Sequence, residues 1–348
     1  MNLLNAPPLL VLAALAASLI SAGLIVLLRP LLQRYALARP NARSSHVVPT
    51  PQGAGIAVIA ATILVASVYE LAAGEVVPLV LFGATVFIAS IGLVDDVRPI
   101  PVLPRLLLQA AAVAAVVFTT PADLRIVPAI PLPLERAGLL FAGLWFVNLV
   151  NFMDGLDLMT AAEAVPVSAA ILLFGWLGYL PLAPTVIAAT LCGAMLGFAP
   201  FNRPVARVFL GDVGSLPIGL LLGWCLLELA WHQHIAAALL LPLYYLVDAT
   251  LTLLRRIARR EPFWAAHRTH FYQRATDNGY SVTAVVIRVF ALNILLAAFG
   301  LASVLLNSTG WDAVFLVVGA AAVWLLLDRF SRQKVTTNAR KNAPNGLY

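Results

Sequence analysis

The chain has 348 residues, of which 61% are hydrophobic and only 11% charged. A soluble domain carries about 25% charged residues, so the deficit excludes a water-soluble globular protein and points to a polytopic membrane protein. The net charge of +6 does not imply nucleic acid, because surplus Arg and Lys in a membrane protein mark the loops on one side.

A spanning helix needs roughly 20 apolar residues. By that ruler the sequence predicts an all-α fold with eleven transmembrane helices, near 8–28, 54–73, 76–94, 105–120, 138–152, 158–176, 184–200, 216–231, 235–254, 283–306 and 311–327. The first run is long and has no basic stretch before it, so no cleavable leader is expected. Odd-numbered connections and the C-terminal tail hold 19 of the 22 Lys and Arg residues. The positive-inside rule then predicts an outside N-terminus and a cytoplasmic C-terminus. One integral membrane domain is expected over 1–328, followed by a polar, basic tail over 329–348 near anionic lipid. Cys192 and Cys225 both lie in apolar runs and read as small buried hydrophobes, neither a disulfide nor a metal site.

The polar motifs sort onto the predicted inner face. The central one is Gly92-Leu93-Val94-Asp95-Asp96, at the end of the third apolar run. Two adjacent carboxylates at a membrane boundary repel each other, a cost that a divalent cation or a cluster of positive groups relieves. Asp154, Asp157 and Asp212 join Asp95 and Asp96 on the same face. Hard oxygen donors at this density suit Mg²⁺ or Mn²⁺, which shares its shell with waters and substrate phosphates. Cysteine is absent from the set and histidine sparse, which argues against zinc. Asn148, Asn151 and Asp154 stand three apart, so on a helix they follow one face, as a site or as a helix–helix contact. Gly211-Asp212-Val213-Gly214-Ser215 runs into a span; it suits close backbone approach to an anion, and equally a turn that caps a helix. His46, His267 and His270 lie beside arginines, as phosphate contacts do. Gln52 to Gly55 lacks the P-loop lysine and spacing, which excludes nucleotide hydrolysis of that type.

Taken together, the motifs resemble the polyprenyl-phosphate N-acetylhexosamine-1-phosphate transferases, which include phospho-MurNAc-pentapeptide translocase and the enzymes that start O-antigen and teichoic acid lipids. The resemblance covers residues 40 to 280 and keeps the motif order. Ser45-His46 with Pro49-Thr50-Pro51 is similar to the family's first loop, and Asp95-Asp96 to its paired aspartates. Asn148 to Asp157 is similar to its Asn-x-x-Asn-x-x-Asp-Gly-x-Asp element, and Phe209 to Ser215 to its Gly-Asp-x-Gly-Ser element. Asp248, Arg255-Arg256, Pro262-Phe263 and the histidines are similar to its last inner segment. The chain departs at Pro99, where many members have an acid or Lys, and at Leu158, where Gly is usual. Its last motif, His267-Arg268-Thr269-His270-Phe271-Tyr272-Gln273, resembles the O-antigen-initiating branch.

The resemblance implies a Mg²⁺-dependent (or Mn²⁺-dependent) transfer from a UDP-N-acetylhexosamine to undecaprenyl phosphate, with UMP released. It implies that Asp212 and Asp154 hold the metal and that Asp95, with Asp96, handles the lipid phosphate. Asn151 and Asp154 would line the metal-diphosphate site. Gly155, Leu156, Asp157 and Phe209 would form the uridine pocket. His46, His267, Arg268 and His270 would contact diphosphate or sugar, the two later histidines as catalytic groups. It further implies a multi-pass protein of the bacterial inner membrane with its site facing the cytoplasm, membrane lipid as a partner, and a homodimer, which is common in the family. The phospho-MurNAc-pentapeptide substrate is the alternative donor. A CDP-alcohol phosphotransferase is disfavoured because Asp154-Gly155 is followed by Leu156-Asp157-Leu158-Met159, without the Asp-Gly-x-x-Ala-Arg signature. A secondary transporter would place acids such as Glu163, Glu228 and Asp248 near the midplane and show paired broken helices in two halves; here the acids gather at one face.

Overall fold

The structure is a computed structural model that describes residues 7–38, 49–262 and 267–333. His46 therefore lies outside the described residues, as do Ser45, Phe263 and the tail beyond 333.

Long apolar runs become helices because a backbone in lipid must satisfy its hydrogen bonds internally. Ten helices among the described residues are long and apolar enough to cross a membrane. They are α1 (Pro7–Tyr35), α2 (Gly55–Ala73), α3 (Leu79–Val97), α4 (Val102–Thr119), α5 (Leu132–Phe152), α6 (Met159–Trp176), α7 (Leu182–Phe198) and α8 (Asp212–Trp231), then, after three shorter helices, α12 (Val282–Leu306) and α13 (Thr309–Ser331). The short ones are α9 (Ile235–Leu240), α10 (Leu243–Ala258) and α11 (Phe271–Asp277). Among the described residues there is one hairpin of two-residue strands, β1 (Leu37–Ala38) and β2 (Thr50–Pro51), which pairs Leu37 with Pro51 and Ala38 with Thr50. The protein is an all-α, multi-pass membrane protein.

The expected ninth span, 235–254, is not one helix. It breaks at Leu241–Pro242 into α9 and α10. Proline has no N–H to donate and clashes with the preceding turn, so it interrupts the ladder. At the α9 end His234 packs edge-on to Tyr179, between α6 and α7. At the α10 end Arg256 donates to Pro262 O at 2.9 Å, close to the histidine segment.

The core sits around α7 and α8, the most buried helices together with α6. α1 and α2 pack on α7, while α3 and α5 pack on α8. α13 is the least buried of the spans and turns residues such as Val317 and Leu325 outward. Exposed apolar side chains on a span face lipid, where they cost nothing.

Two expected boundaries shift in a way that matters for the site. Asp95 and Asp96 end α3 instead of opening a loop, and Asp212 begins α8 instead of preceding it. The two acidic motifs are thus the facing ends of two packed helices.

Candidate active site

Asp96 joins the two helix ends. Its Oδ1 accepts the N–H of Asp212 at 2.9 Å and its Oδ2 accepts that of Val213 at 3.1 Å. The residue before α8 is Gly211, which has no side chain to cap the helix. Asp96, from a different helix, does the capping and places its charge against the positive end of the α8 dipole. Gln52 Nε2 donates to Asp96 Oδ1 as well. The segment leading into α8 is also tied to the hairpin and to the start of α2: Phe209 N–H donates to Pro51 O at 2.7 Å, and Gly55 N–H to Leu210 O at 2.9 Å. This bridge fixes the backbone that carries the Phe209 ring.

Asp95 faces the other way. Its Oδ1 accepts the Ile100 N–H at 2.6 Å, and its Oδ2 pairs with Arg105 Nη1 at 2.6 Å. The same Arg105 nitrogen lies 3.8 Å from Asp212 Oδ2. One guanidinium therefore sits between two carboxylates that the sequence places on separate motifs. Arg105 was not among the expected site residues, because a basic residue in the first turn of a span reads as a topology signal.

Asn151, in the last turn of α5, donates to Asp212 Oδ1 at 2.7 Å and to Ser215 Oγ at 2.9 Å. Asn148, one turn earlier, donates to Gln109 of α4 at 2.8 Å and is buried. The polar stripe thus divides: Asn148 is a helix–helix contact, and Asn151 joins the acidic cluster. Asp154 lies just beyond the helix and accepts from the Thr160 hydroxyl. Burial raises the Asp154 carboxyl to about 7; the Thr160 bond opposes this, and the charges of Asp96 and Asp157 add to it.

The turn after Asp154 is held by two clamps. Asp157 Oδ2 accepts the Ala206 N–H at 3.1 Å. Asn202 accepts the Leu158 N–H at 2.6 Å and donates to Val208 O at 2.9 Å. Leu158 is left-handed, with φ 63° and ψ 4°. That conformation is costly for a side chain and free for glycine, which explains why the family pattern has Gly there. Here the Asn202 hydrogen bond and the packing of the leucine side chain against the core hold the strained backbone.

These elements enclose a cavity of ≈380 Å³. Of the expected site residues, Asn151, Asp154, Gly155, Leu156, Asp157, Phe209 and Asp212 line it. Asp96 lies directly beneath the floor formed by Gly211 and Asp212. His267, Arg268 and His270 are not in the lining. His270 is buried, with Nδ1 3.4 Å from Asp248 Oδ1, and stacks on His267 and on Tyr272. Burial, then the charges of His270 and Arg256, lower His267 to about 4, so its ring is neutral at pH 7. Arg268 reaches Asp277 at 3.3 Å and Thr276 at 3.4 Å. Asp248 is fully buried and accepts the N–H groups of Phe271 and Tyr272 at 3.0 and 3.2 Å. From α10 it thereby caps α11 and seats Tyr272, whose hydroxyl donates to Phe152 O at 3.0 Å.

Among the described residues no three His, Cys, Asp or Glu side chains converge at the spacing of a closed metal site. The donor set still fits Mg²⁺, which is commonly held by one or two carboxylates and completed by water and substrate phosphate. Asp212 and Asp154 both present hard oxygens to the cavity, and the burial that raises Asp154 is relieved by a cation.

Comparison with known proteins bears on this geometry. The family model described as glycosyl transferase family 4 matches residues 78–230. A decaprenyl-phosphate N-acetylglucosaminephosphotransferase of Mycobacterium leprae is 31% identical over 92% of this chain and 91% of its own. The chain belongs to glycosyl transferase family 4. A probable undecaprenyl-phosphate N-acetylglucosaminyl 1-phosphate transferase of Bacillus subtilis is 25% identical over 86% of this chain and 87% of its own. A phospho-N-acetylmuramoyl-pentapeptide-transferase of Gluconobacter oxydans is 33% identical, but over only 54% of this chain and 58% of its own. The family match spans α3 to α8, so it contains both facing helix ends of this family 4 glycosyl transferase and the whole Asn151–Asp157 turn.

Proposed function

We propose that this membrane protein transfers N-acetylhexosamine 1-phosphate, with UDP-N-acetylglucosamine as the donor, to a polyprenyl phosphate. A phosphate oxygen of the acceptor bonds to the β-phosphorus of the donor. The bond from that phosphorus to the bridging oxygen breaks, and UMP leaves. A lipid diphosphate sugar remains, as the first membrane-bound intermediate of a surface polysaccharide. One observation carries the reading: a carboxylate-lined cavity at the facing ends of α3 and α8, in a chain that aligns over nearly its full length with an N-acetylglucosamine phosphotransferase. The N-acetylmuramoyl-pentapeptide relatives align over about half of it.

Phosphoryl transfer of this kind needs positioning and charge neutralisation more than covalent help. Asp212 and Asp154 would hold Mg²⁺, which supplies neutralisation of the diphosphate charge when bound. Asn151 orients Asp212 by donating to its Oδ1. Asp95 deprotonates or orients the acceptor phosphate, and Arg105 beside it receives the negative charge that arrives. Asp96 holds the α8 terminus in place. Leu156, Asp157 and Phe209 form the uridine end of the cavity. The neutral His267 ring, stacked on His270, stands behind Tyr272 as a support for the diphosphate end. The basic residues gather at the end of the molecule that holds this cavity, which supports an orientation with the site facing the cytoplasm of a bacterial inner membrane.

The test is UMP release by detergent-purified protein from UDP-N-acetylglucosamine, with undecaprenyl phosphate and Mg²⁺, beside an Asp212→Asn variant. UMP that depends on the lipid, on Mg²⁺ and on Asp212 is the expected result. Lipid-independent UMP would mean hydrolysis and overturn the acceptor assignment.

A further inference from the structure

One polar residue of the cavity wall closes the His267–Gln273 motif, yet neither the resemblance nor the acidic cluster gives it a role. Gln273, in α11, lines the cavity and is only 6% exposed. Its Oε1 is buried without a hydrogen-bond partner among the described residues. A buried amide oxygen left unpaired costs about 1–3 kcal/mol, and native proteins rarely retain such an atom without a use for it. Its other end rests against the substrate turn: a Cβ added at Gly155 would come 2.9 Å from Gln273 Nε2 and 2.2 Å from the Tyr272 hydroxyl. The amide is also held in position. Asp248 caps the helix through the N–H groups of Phe271 and Tyr272, and Tyr272 is tied to the end of α5. A glutamine on so constrained a backbone, lining a polar cavity with its acceptor unused, has the form of a ligand contact.

We propose that Gln273 is a donor-binding residue, its side-chain amide taking a hydrogen bond from an N–H or O–H group of the nucleotide sugar. The inference rests on the reading of this cavity as the donor site. Both halves of such a donor offer the required chemistry, the imide N–H of uracil and the acetamido N–H and hydroxyls of the sugar. The neighbouring side chains support the assignment. The other three cavity amides are engaged within the protein, Gln52 donating to Asp96, Asn151 to Asp212 and Ser215, and Asn202 accepting from Leu158 and donating to Val208.

The experiment is calorimetric titration of UMP and of UDP-N-acetylglucosamine into purified wild-type protein, Gln273→Met and Gln273→Asn, with the thermal midpoint of each free protein measured alongside. Methionine keeps the shape and removes the hydrogen bond; asparagine keeps the amide and withdraws it by one methylene. The expected result is about tenfold weaker donor binding in both variants, the loss of one hydrogen bond, with a free-protein midpoint no lower than wild type in Gln273→Met. Weakening of both ligands places the contact on the nucleoside half. Weakening of UDP-N-acetylglucosamine alone places it on the sugar half. Wild-type affinity for both ligands in both variants overturns the inference, as does a midpoint several degrees lower in free Gln273→Met, which would make the amide a structural one. If the wild-type protein itself binds neither ligand, the donor-site reading fails, and the inference with it.

Discussion

At Gly92, α3 meets α8 with no room for a side chain, and replacing this residue with alanine tests whether that contact positions the acidic cluster. A Cβ at Gly92 would lie 2.3 Å from Asp212 O, 2.4 Å from Asp212 C and 2.6 Å from Val213 N. Carbon atoms rest about 3.5–4.0 Å apart, so the first turn of α8 must retreat by about 1 Å. All three obstacles are backbone, so no side chain can rotate out of the way. Overpacking of this kind costs about 1–3 kcal/mol. The displaced turn also carries the two N–H groups that Asp96 accepts; weakening one bond to a charged group adds about 1.5–3 kcal/mol. The sum predicts a destabilisation of about 2.5–6 kcal/mol for Gly92→Ala. Catalysis should fall by about 10²-fold, the usual consequence of a 1 Å misplacement. Gly83, on the same helix, is the control, since a Cβ there meets nothing within 4 Å. Gly83→Ala should keep full activity and gain up to about 1 kcal/mol from helix propensity. The assays are UMP release and thermal unfolding in detergent. Wild-type activity and midpoint in Gly92→Ala would show that this helix contact does not set the geometry of the cluster.

Further predictions follow from the same geometry. Arg105→Gln leaves Asp95 without its 2.6 Å partner and removes the cation nearest Asp212; UMP formation should fall at least tenfold, and an unchanged rate would make Arg105 a topology signal only. Asp154, raised to about 7, holds its proton in the folded state at pH values where an unfolded aspartate has lost it. Without divalent cation, stability should therefore decline as pH rises from about 4 to about 7. Asp154→Asn should flatten that part of the midpoint–pH curve, and an unaltered slope in the variant refutes the assignment. At Leu158 the left-handed backbone tolerates glycine but not a β-branched side chain. Leu158→Gly should keep its activity with a small change in midpoint, whereas Leu158→Val should unfold several degrees earlier; equal midpoints would mean that the Asn202 clamp does not hold this conformation.

Much of the architecture is legible in the sequence because a span declares itself by length and hydropathy alone. Ten of the eleven expected segments are single helices. The segment at 235–254 reads as continuous because Pro242 is one residue within an apolar stretch, and because Asp248 and Arg255 look like ordinary interfacial charges. The acidic motifs are legible as a set, and seven expected residues do line one cavity. Their partners are not legible. Nothing local in Gln52 marks it as a donor to Asp96, 44 positions away, and two-residue strands leave no periodic pattern. Asp248 illustrates the same limit. In sequence it is an isolated acid in a span; in space it caps a helix that begins 23 positions later. The roles of Gln273 and Arg105 are hidden for a related reason, since their significance lies in what faces them across the fold.

The remote cap on α8 has a consequence for biogenesis. A polytopic chain enters the membrane from its N-terminus, so α3 is in place while α8 is still being made. Through that interval Asp96 stands at the end of an inserted helix without the backbone donors of residues 212 and 213, whereas Asp95 takes its donors from Ile100 and Arg105 just downstream, and the hairpin residue Pro51 waits for the N–H of Phe209. The catalytic end of the molecule is thus closed late, when the eighth helix arrives. A chain stalled before that point would hold Asp96 at the bilayer edge without the helix terminus that it caps.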